Sequence, residues 1–88
     1  MKQYISLLLF TTEACHLCEQ ALSLLQPWLQ RGWSLREVDI SESEELFQRY
    51  GLIIPVLRQE GSGRELHWPF DRDSIARFLA ASSPPTEN

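Results

Sequence analysis

A nearly unbroken apolar run over residues 5–10 reads as a strand buried on both faces, the pattern of parallel strands. Thr11-Thr12-Glu13-Ala14 forms a short turn, and a helical pattern starts at about Cys15. Leu17, Ala21, Leu24, Leu25, Trp28 and Leu29 recur at helical spacing and make one apolar stripe. Pro27 is expected to end that helix near Gln26 or to kink it, because a mid-helix proline removes a backbone bond and clashes with the preceding turn. Gly32 closes the element. Residues 33–40 read as a second strand, with Val38 and Ile40 on one face. Ser41 and Glu44 have the spacing of a capping box and open a short helix that Gly51 stops after Tyr50. Residues 52–54 run into Pro55, a third strand covers 56–58, Gly61-Ser62-Gly63 turns a hairpin, and a fourth strand covers 64–68. Asp71 or Asp73 caps a last helix to about residue 81. Pro84-Pro85 lies in a tail at 82–88. The order is a parallel βαβ unit, then an antiparallel hairpin and a closing helix, which assembles as a mixed four-stranded sheet with helices on both faces. Residues 1–81 form one domain.

The chemistry sits at the first strand-to-helix junction, in Cys15-His16-Leu17-Cys18. Two sulfurs three residues apart share a helix face, with Cβ atoms about 5–6 Å apart. A small adjustment brings them within disulfide range. The helix start offers unpaired N–H groups and partial positive charge near Cys15, and both favour the nucleophilic thiolate. Zinc is the rival ligand for such a pair. A structural zinc site usually needs four protein ligands, and only His16 and His67 remain, so no metal is expected. Two inert buried cysteines are the blander alternative. Reversible dithiol chemistry is the reading adopted, with no resident cofactor.

Composition narrows the partners. Among 88 residues, twelve acids against eight bases give a net charge of −4. No Lys/Arg cluster exists to hold nucleic acid or an anionic membrane surface. Met1-Lys2 and the apolar run after it have the look of a weak signal peptide. The run is short, though, and Thr12-Glu13-Ala14 is a poor cleavage site. A reducing cytoplasm is expected, where such a pair is catalytic or regulatory. A monomer is expected too.

With Cys15-His16-Leu17-Cys18-Glu19, the chain resembles the thioredoxin fold, and within it the small glutaredoxin-like proteins that carry a Cys-His-Leu-Cys-Glu motif. Val38-Asp39-Ile40, the run from Tyr50 to Leu57, and Trp68-Pro69-Phe70-Asp71 also match, so the resemblance spans about residues 3–81. It implies an α/β, thioredoxin-like sheet in the order β-α-β-α-β-β-α. It also implies a thiol–disulfide oxidoreductase in which Cys15 attacks and Cys18 resolves. By the same resemblance Pro55 follows a cis peptide facing the dithiol, leaving the Ile54 backbone free to pair with a substrate strand. The substrate is then a disulfide-containing protein or a small thiol. The rival class is a non-catalytic redox-sensing or interaction module on the same fold.

Several positions depart from glutaredoxins. Thr12 stands where a lysine usually supports the thiolate and binds a glutathione carboxylate, and Glu13 beside it disfavours the thiolate. Trp68-Pro69-Phe70-Asp71 replaces a Gly-rich stretch of backbone donors, and Pro69 has no N–H to give. Asp71 either binds an α-amino group or caps the last helix. His16 is a nearby cation or a solvated side chain, and Trp68 is a core filler or lines a substrate groove. Thr12, His16, Ile54, Pro55, Trp68 and Asp71 are thus the candidate substrate-side residues. Glutathione is a doubtful partner.

Overall fold

The computed structural model describes residues 6–81. The expected start of the first strand at Ile5, the stretch before it and the tail at 82–88 lie outside the described residues. Four strands, β1 (Ser6–Thr11), β2 (Ser34–Asp39), β3 (Val56–Gln59) and β4 (Glu65–His67), form one sheet in the order β2-β1-β3-β4. β1 and β2 run parallel, and β3 lies antiparallel to both β1 and β4. The helices are α1 (His16–Leu29), α2 (Glu44–Tyr50) and α3 (Arg72–Ala81), with a 3₁₀ turn at Ile40–Glu42.

Alternation along β1 divides the core. Leu7 and Leu9 meet Leu57, Ala21 and Leu25 of α1, and Ile75, Phe78 and Leu79 of α3. Phe10 faces the other way, onto Ile40, Tyr50 and Val56, with Leu8, Val38 and Leu46 packed around them. Burial on both faces explains the unbroken apolar run, and each face needs its own helical cover. This is the mixed four-stranded sheet with helices on both faces that the sequence pattern and the thioredoxin-like resemblance imply.

Three local expectations are corrected. Helix α1 does not end near Gln26 but runs through Pro27 to Leu29, and Gln30 N–H donates to the Gln26 carbonyl at 3.0 Å. Trp28, just beyond the proline, packs on the core, and that contact holds the last turn in place. Leu17 is not part of the buried stripe. It is 42% exposed, and the buried face is Cys18, Ala21 and Leu25, centred about 70° around the helix from it. Ser41 does not cap α2. Its N–H and hydroxyl both donate to Asp39 Oδ1, at 2.9 and 2.8 Å, so the cap passes to Ser43, whose Oγ accepts from Leu46 N–H at 3.2 Å. Gly51 does stop α2 after Tyr50, in a right-handed conformation. A Cβ there would lie 2.5 Å from the Phe47 carbonyl oxygen, and that closeness calls for glycine.

Candidate functional site

Every candidate position falls at one end of the sheet. β1 delivers the chain to the turn before Cys15, and Phe10 pairs with both Val38 and Val56. Val56 in turn pairs with His67. The last residues of β1, β2 and β4 and the first of β3 therefore share an edge. From that edge spring the Thr12–Cys15 turn, Asp39, the Ile54–Pro55 peptide and the Trp68–Asp71 segment.

Cys15 and Cys18 form a disulfide with Cα atoms 5.2 Å apart. Cys15 is the N-cap of α1, extended at φ −96° and ψ 101°, and its Sγ accepts the Cys18 N–H at 3.2 Å. The sulfur thus takes up one of the donors that a helix start leaves unpaired. Cys18 is buried at 3% exposure, while Cys15 remains half-buried. Cys15 is thus the more accessible residue of the pair. Ala14, immediately before, holds φ at +59°. This is a left-handed conformation unusual for a residue with a Cβ, and nothing in the sequence pattern signals it.

Carboxylates surround this turn on its β2 side. Thr11, Thr12, Glu13, Glu37 and Asp39 line an open depression of about 230 Å³. The Asp39 carboxyl is held below its ordinary value by the Ser41 backbone N–H, then by the Ser41 hydroxyl, with Thr12 adding a further hydrogen bond. It stays ionised. Glu19 adds another acid in the first turn of α1, and no lysine or arginine occurs between Lys2 and Arg31.

On the β3 side the Ile54–Pro55 peptide is cis and Pro55 is fully buried. The Ile54 N–H is not free for a substrate strand. It donates to the Tyr50 carbonyl at 3.1 Å, because the chain leaving α2 keeps turning and takes that donor. Leu52 and Ile53, just before it, are exposed.

The remaining candidates divide. His16 opens α1 and is exposed. The Trp68 ring turns inward, packing on the first core and meeting Phe70 edge-on at 4.9 Å between centroids. Asp71 is engaged in capping: its Oδ1 accepts both the N–H and the hydroxyl of Ser74, at 2.9 and 2.8 Å. The backbone hydrogen bond from Ser74, followed by the one from its hydroxyl, lowers the Asp71 carboxyl below its usual range. Asp73 pairs with Arg77 instead. The peptide before Pro69 is also cis, a feature the sequence reading missed. Among the described residues no group of three or more His, Cys, Asp or Glu side chains could hold a metal ion, and no helix is long and apolar enough to cross a membrane. What the geometry can do chemically is exchange two electrons between a dithiol and a disulfide.

Residues 6–80 match the family model described as Glutaredoxin-like domain (DUF836). Among solved structures, the X-ray structure of protein XcR50 from X. campestris is similar at 40% identity over 89% of this chain and 99% of that one, with a TM-score of 0.76. Protein Ne2328 from Nitrosomonas europaea is 28% identical over 89% and 94% of the two chains, with a TM-score of 0.75. A malarial protein, 14% identical over 90% and 97%, shares the fold with a TM-score of 0.64. Matched along nearly its whole described length and carrying its cysteine pair at the start of α1, the chain belongs to the glutaredoxin-like family of the thioredoxin fold.

Proposed function

We propose that the protein is a thiol–disulfide oxidoreductase. The observation that carries this reading is the Cys15–Cys18 disulfide at the head of α1, with Cys15 the more accessible sulfur. In the reduced protein the Cys15 thiolate attacks one sulfur of a substrate disulfide and forms a mixed disulfide, and the other substrate sulfur leaves as a thiolate. Cys18 then attacks the Cys15 sulfur and releases the second substrate thiol. The two electrons come from the dithiol, and an external thiol donor restores them. No resident cofactor takes part, and glutathione is not the preferred donor. A reducing cytoplasm and a monomeric chain suit this cycle. Pro55 shapes the substrate side, so Pro55→Ala is expected to slow exchange with protein disulfides more than it lowers stability.

The test is a trap. Cys18→Ser stops the cycle at the mixed disulfide, so substrate should accumulate covalently on Cys15 and be released by dithiothreitol. A Cys15→Ser variant that traps as much would reverse the two roles. Glu13, which opposes a thiolate at Cys15, favours the second reading, a redox-sensing module oxidised once and recycled slowly. Multiple turnovers with excess disulfide and donor separate the two.

A further inference from the structure

The Cys15–Cys18 turn leaves β1, an inner strand of the sheet, so the two flanks of the disulfide are built by different neighbours. On the β2 flank lies the depression lined by Glu13, Glu37 and Asp39. Glu13 and Glu37 are exposed and have no ion-pair partner among the described residues. On the β3 flank lies the loop into Pro55, where Leu52 is fully exposed and Ile53 is 39% exposed. Leu17, 42% exposed, stands between the cysteines themselves. These large apolar side chains are exposed on segments that leave the same end of the sheet as the disulfide, the kind of surface that marks a docking site. The charge at its rim decides the occupant.

We propose that this face docks polypeptides whose disulfide lies between an apolar side chain and an arginine or lysine. The inference rests on the dithiol exchange reading and specifies its substrate class. The apolar residue would cover Leu52 and Ile53, while the cation would enter the acidic depression and meet the Glu13 and Glu37 carboxylates, which have no competing ion-pair partner among the described residues. An anionic substrate, glutathione included, meets like charge there instead, which costs affinity and slows encounter.

The experiment uses the pre-reduced full chain in single turnover against three synthetic peptides. Each carries one internal disulfide with leucine on one side and arginine, glutamine or glutamate on the other. Bis(2-hydroxyethyl) disulfide is the small uncharged reference, and the peptide thiol released is followed by chromatography. The arginine peptide should react roughly fivefold faster than the glutamate peptide at low salt, with the gap narrowing as added salt shortens the Debye length. Glu13→Gln with Glu37→Gln should remove that ranking. Leu52→Ser with Ile53→Ser should slow all three peptides relative to the reference. Equal rates for the three peptides on the unmodified protein overturn the proposal, as does a ranking that survives the double Gln variant. If the reference itself is not reduced, the exchange reading fails and takes the proposal with it. Reduction of the reference without charge ranking leaves exchange standing and removes only the docking preference.

Discussion

The sulfur of Cys15 accepts a hydrogen bond from the backbone N–H of Cys18 at 3.2 Å, so one atom both closes the disulfide and caps helix α1. The consequence is chemical. A thiolate accepts such a bond more strongly than a disulfide sulfur or a thiol does, and it sits where the helix dipole favours negative charge. In the reduced protein the cap should persist and favour the thiolate at Cys15. Glu13 and Glu19 act in the opposite sense through like charge.

The first expectation is therefore asymmetry. In the reduced protein, Cys15 should titrate below the free value of about 8.5, and Cys18 should react slowly because it is almost fully covered. Alkylation rates against pH on the Cys15→Ser and Cys18→Ser variants measure this. Equal reactivity of the two thiols would falsify the assignment of roles.

Glutathione should be a poor reductant. Thr12 offers no cation, Glu13 adds a repelling charge, Pro69 has no N–H, and Asp71 is committed to Ser74. Each missing charge-assisted hydrogen bond is worth roughly 1.5–3 kcal/mol. Two of them weaken binding about a hundredfold or more, since about 1.4 kcal/mol is tenfold. A glutathione-coupled assay on a small mixed disulfide, run beside dithiothreitol as donor, gives the comparison. Robust turnover at millimolar glutathione would mean that another surface, such as Arg49, Arg58 or Arg72, recognises it.

The parts of this arrangement legible in the sequence are those fixed over a few residues. The apolar run of β1, the cysteine spacing at a helix start, the glycine-flanked hairpin and Asp71 ahead of the last helix each follow from local pattern. What escaped depends on three dimensions or on competition. Ser41 carries the capping spacing, but Asp39 reaches its hydroxyl first, and Ser43 inherits the cap. Pro27 can end a helix or leave it a further turn, and the packing of Trp28 on the core goes with the second outcome. The left-handed turn at Ala14 and the inward rotation of Trp68 leave no periodic trace. Nor does the meeting of Tyr50, Arg58 and Glu65, which come from α2, β3 and β4.

Ala14 offers a direct test of the redox turn. Its φ of +59° costs an L-residue about 1–2 kcal/mol. Glycine would relieve that cost but add unfolded-chain entropy of about 0.4–1 kcal/mol, so Ala14→Gly should fall between neutral and about 1.5 kcal/mol stabilising. Ala14→Val, with a branched Cβ in the same region, should destabilise by at least about 1 kcal/mol relative to Gly. Urea unfolding of the three proteins in the disulfide form decides it, and a Val variant as stable as the Gly variant would contradict the turn geometry.

The last expectation concerns a part-buried polar network that ties α2 to the β3–β4 hairpin. Tyr50 is buried and stacks on Phe10 with ring centroids 4.3 Å apart. Its hydroxyl donates to Glu65, while Arg58 Nη1 reaches the Tyr50 oxygen at 3.3 Å and Glu65 Oε2 at 3.4 Å. His67 Nε2 approaches the other Glu65 oxygen at 3.0 Å. Burial pushes the Glu65 carboxyl up, but hydrogen bonds from Tyr50 and His67, with the charges of His67 and Arg58, outweigh it and leave the group below its ordinary value of 4.5. Burial, followed by the bond to Glu65, raises the Tyr50 phenol above 10.0. A depressed carboxyl contributes stability that is present above its unfolded value and lost as pH falls through the folded one. A raised phenol contributes stability that is present below its unfolded value and lost as pH climbs through the folded one. Tyr50→Phe keeps the ring and removes the donor, so it should cost about 1–2 kcal/mol at pH 7, or roughly 5–15 °C in Tm for a domain of this size. The deficit should shrink as the pH falls below the ordinary carboxyl value of 4.5 and through the lowered value of Glu65, and again as it climbs past 10.0 and through the raised value of the parent phenol. Thermal melts of the parent and Tyr50→Phe from pH 3 to 11 test both limbs. A deficit that stays constant across that range would mean the network carries no linked charge, and no deficit at pH 7 would mean the hydrogen bond to Glu65 adds nothing to the fold.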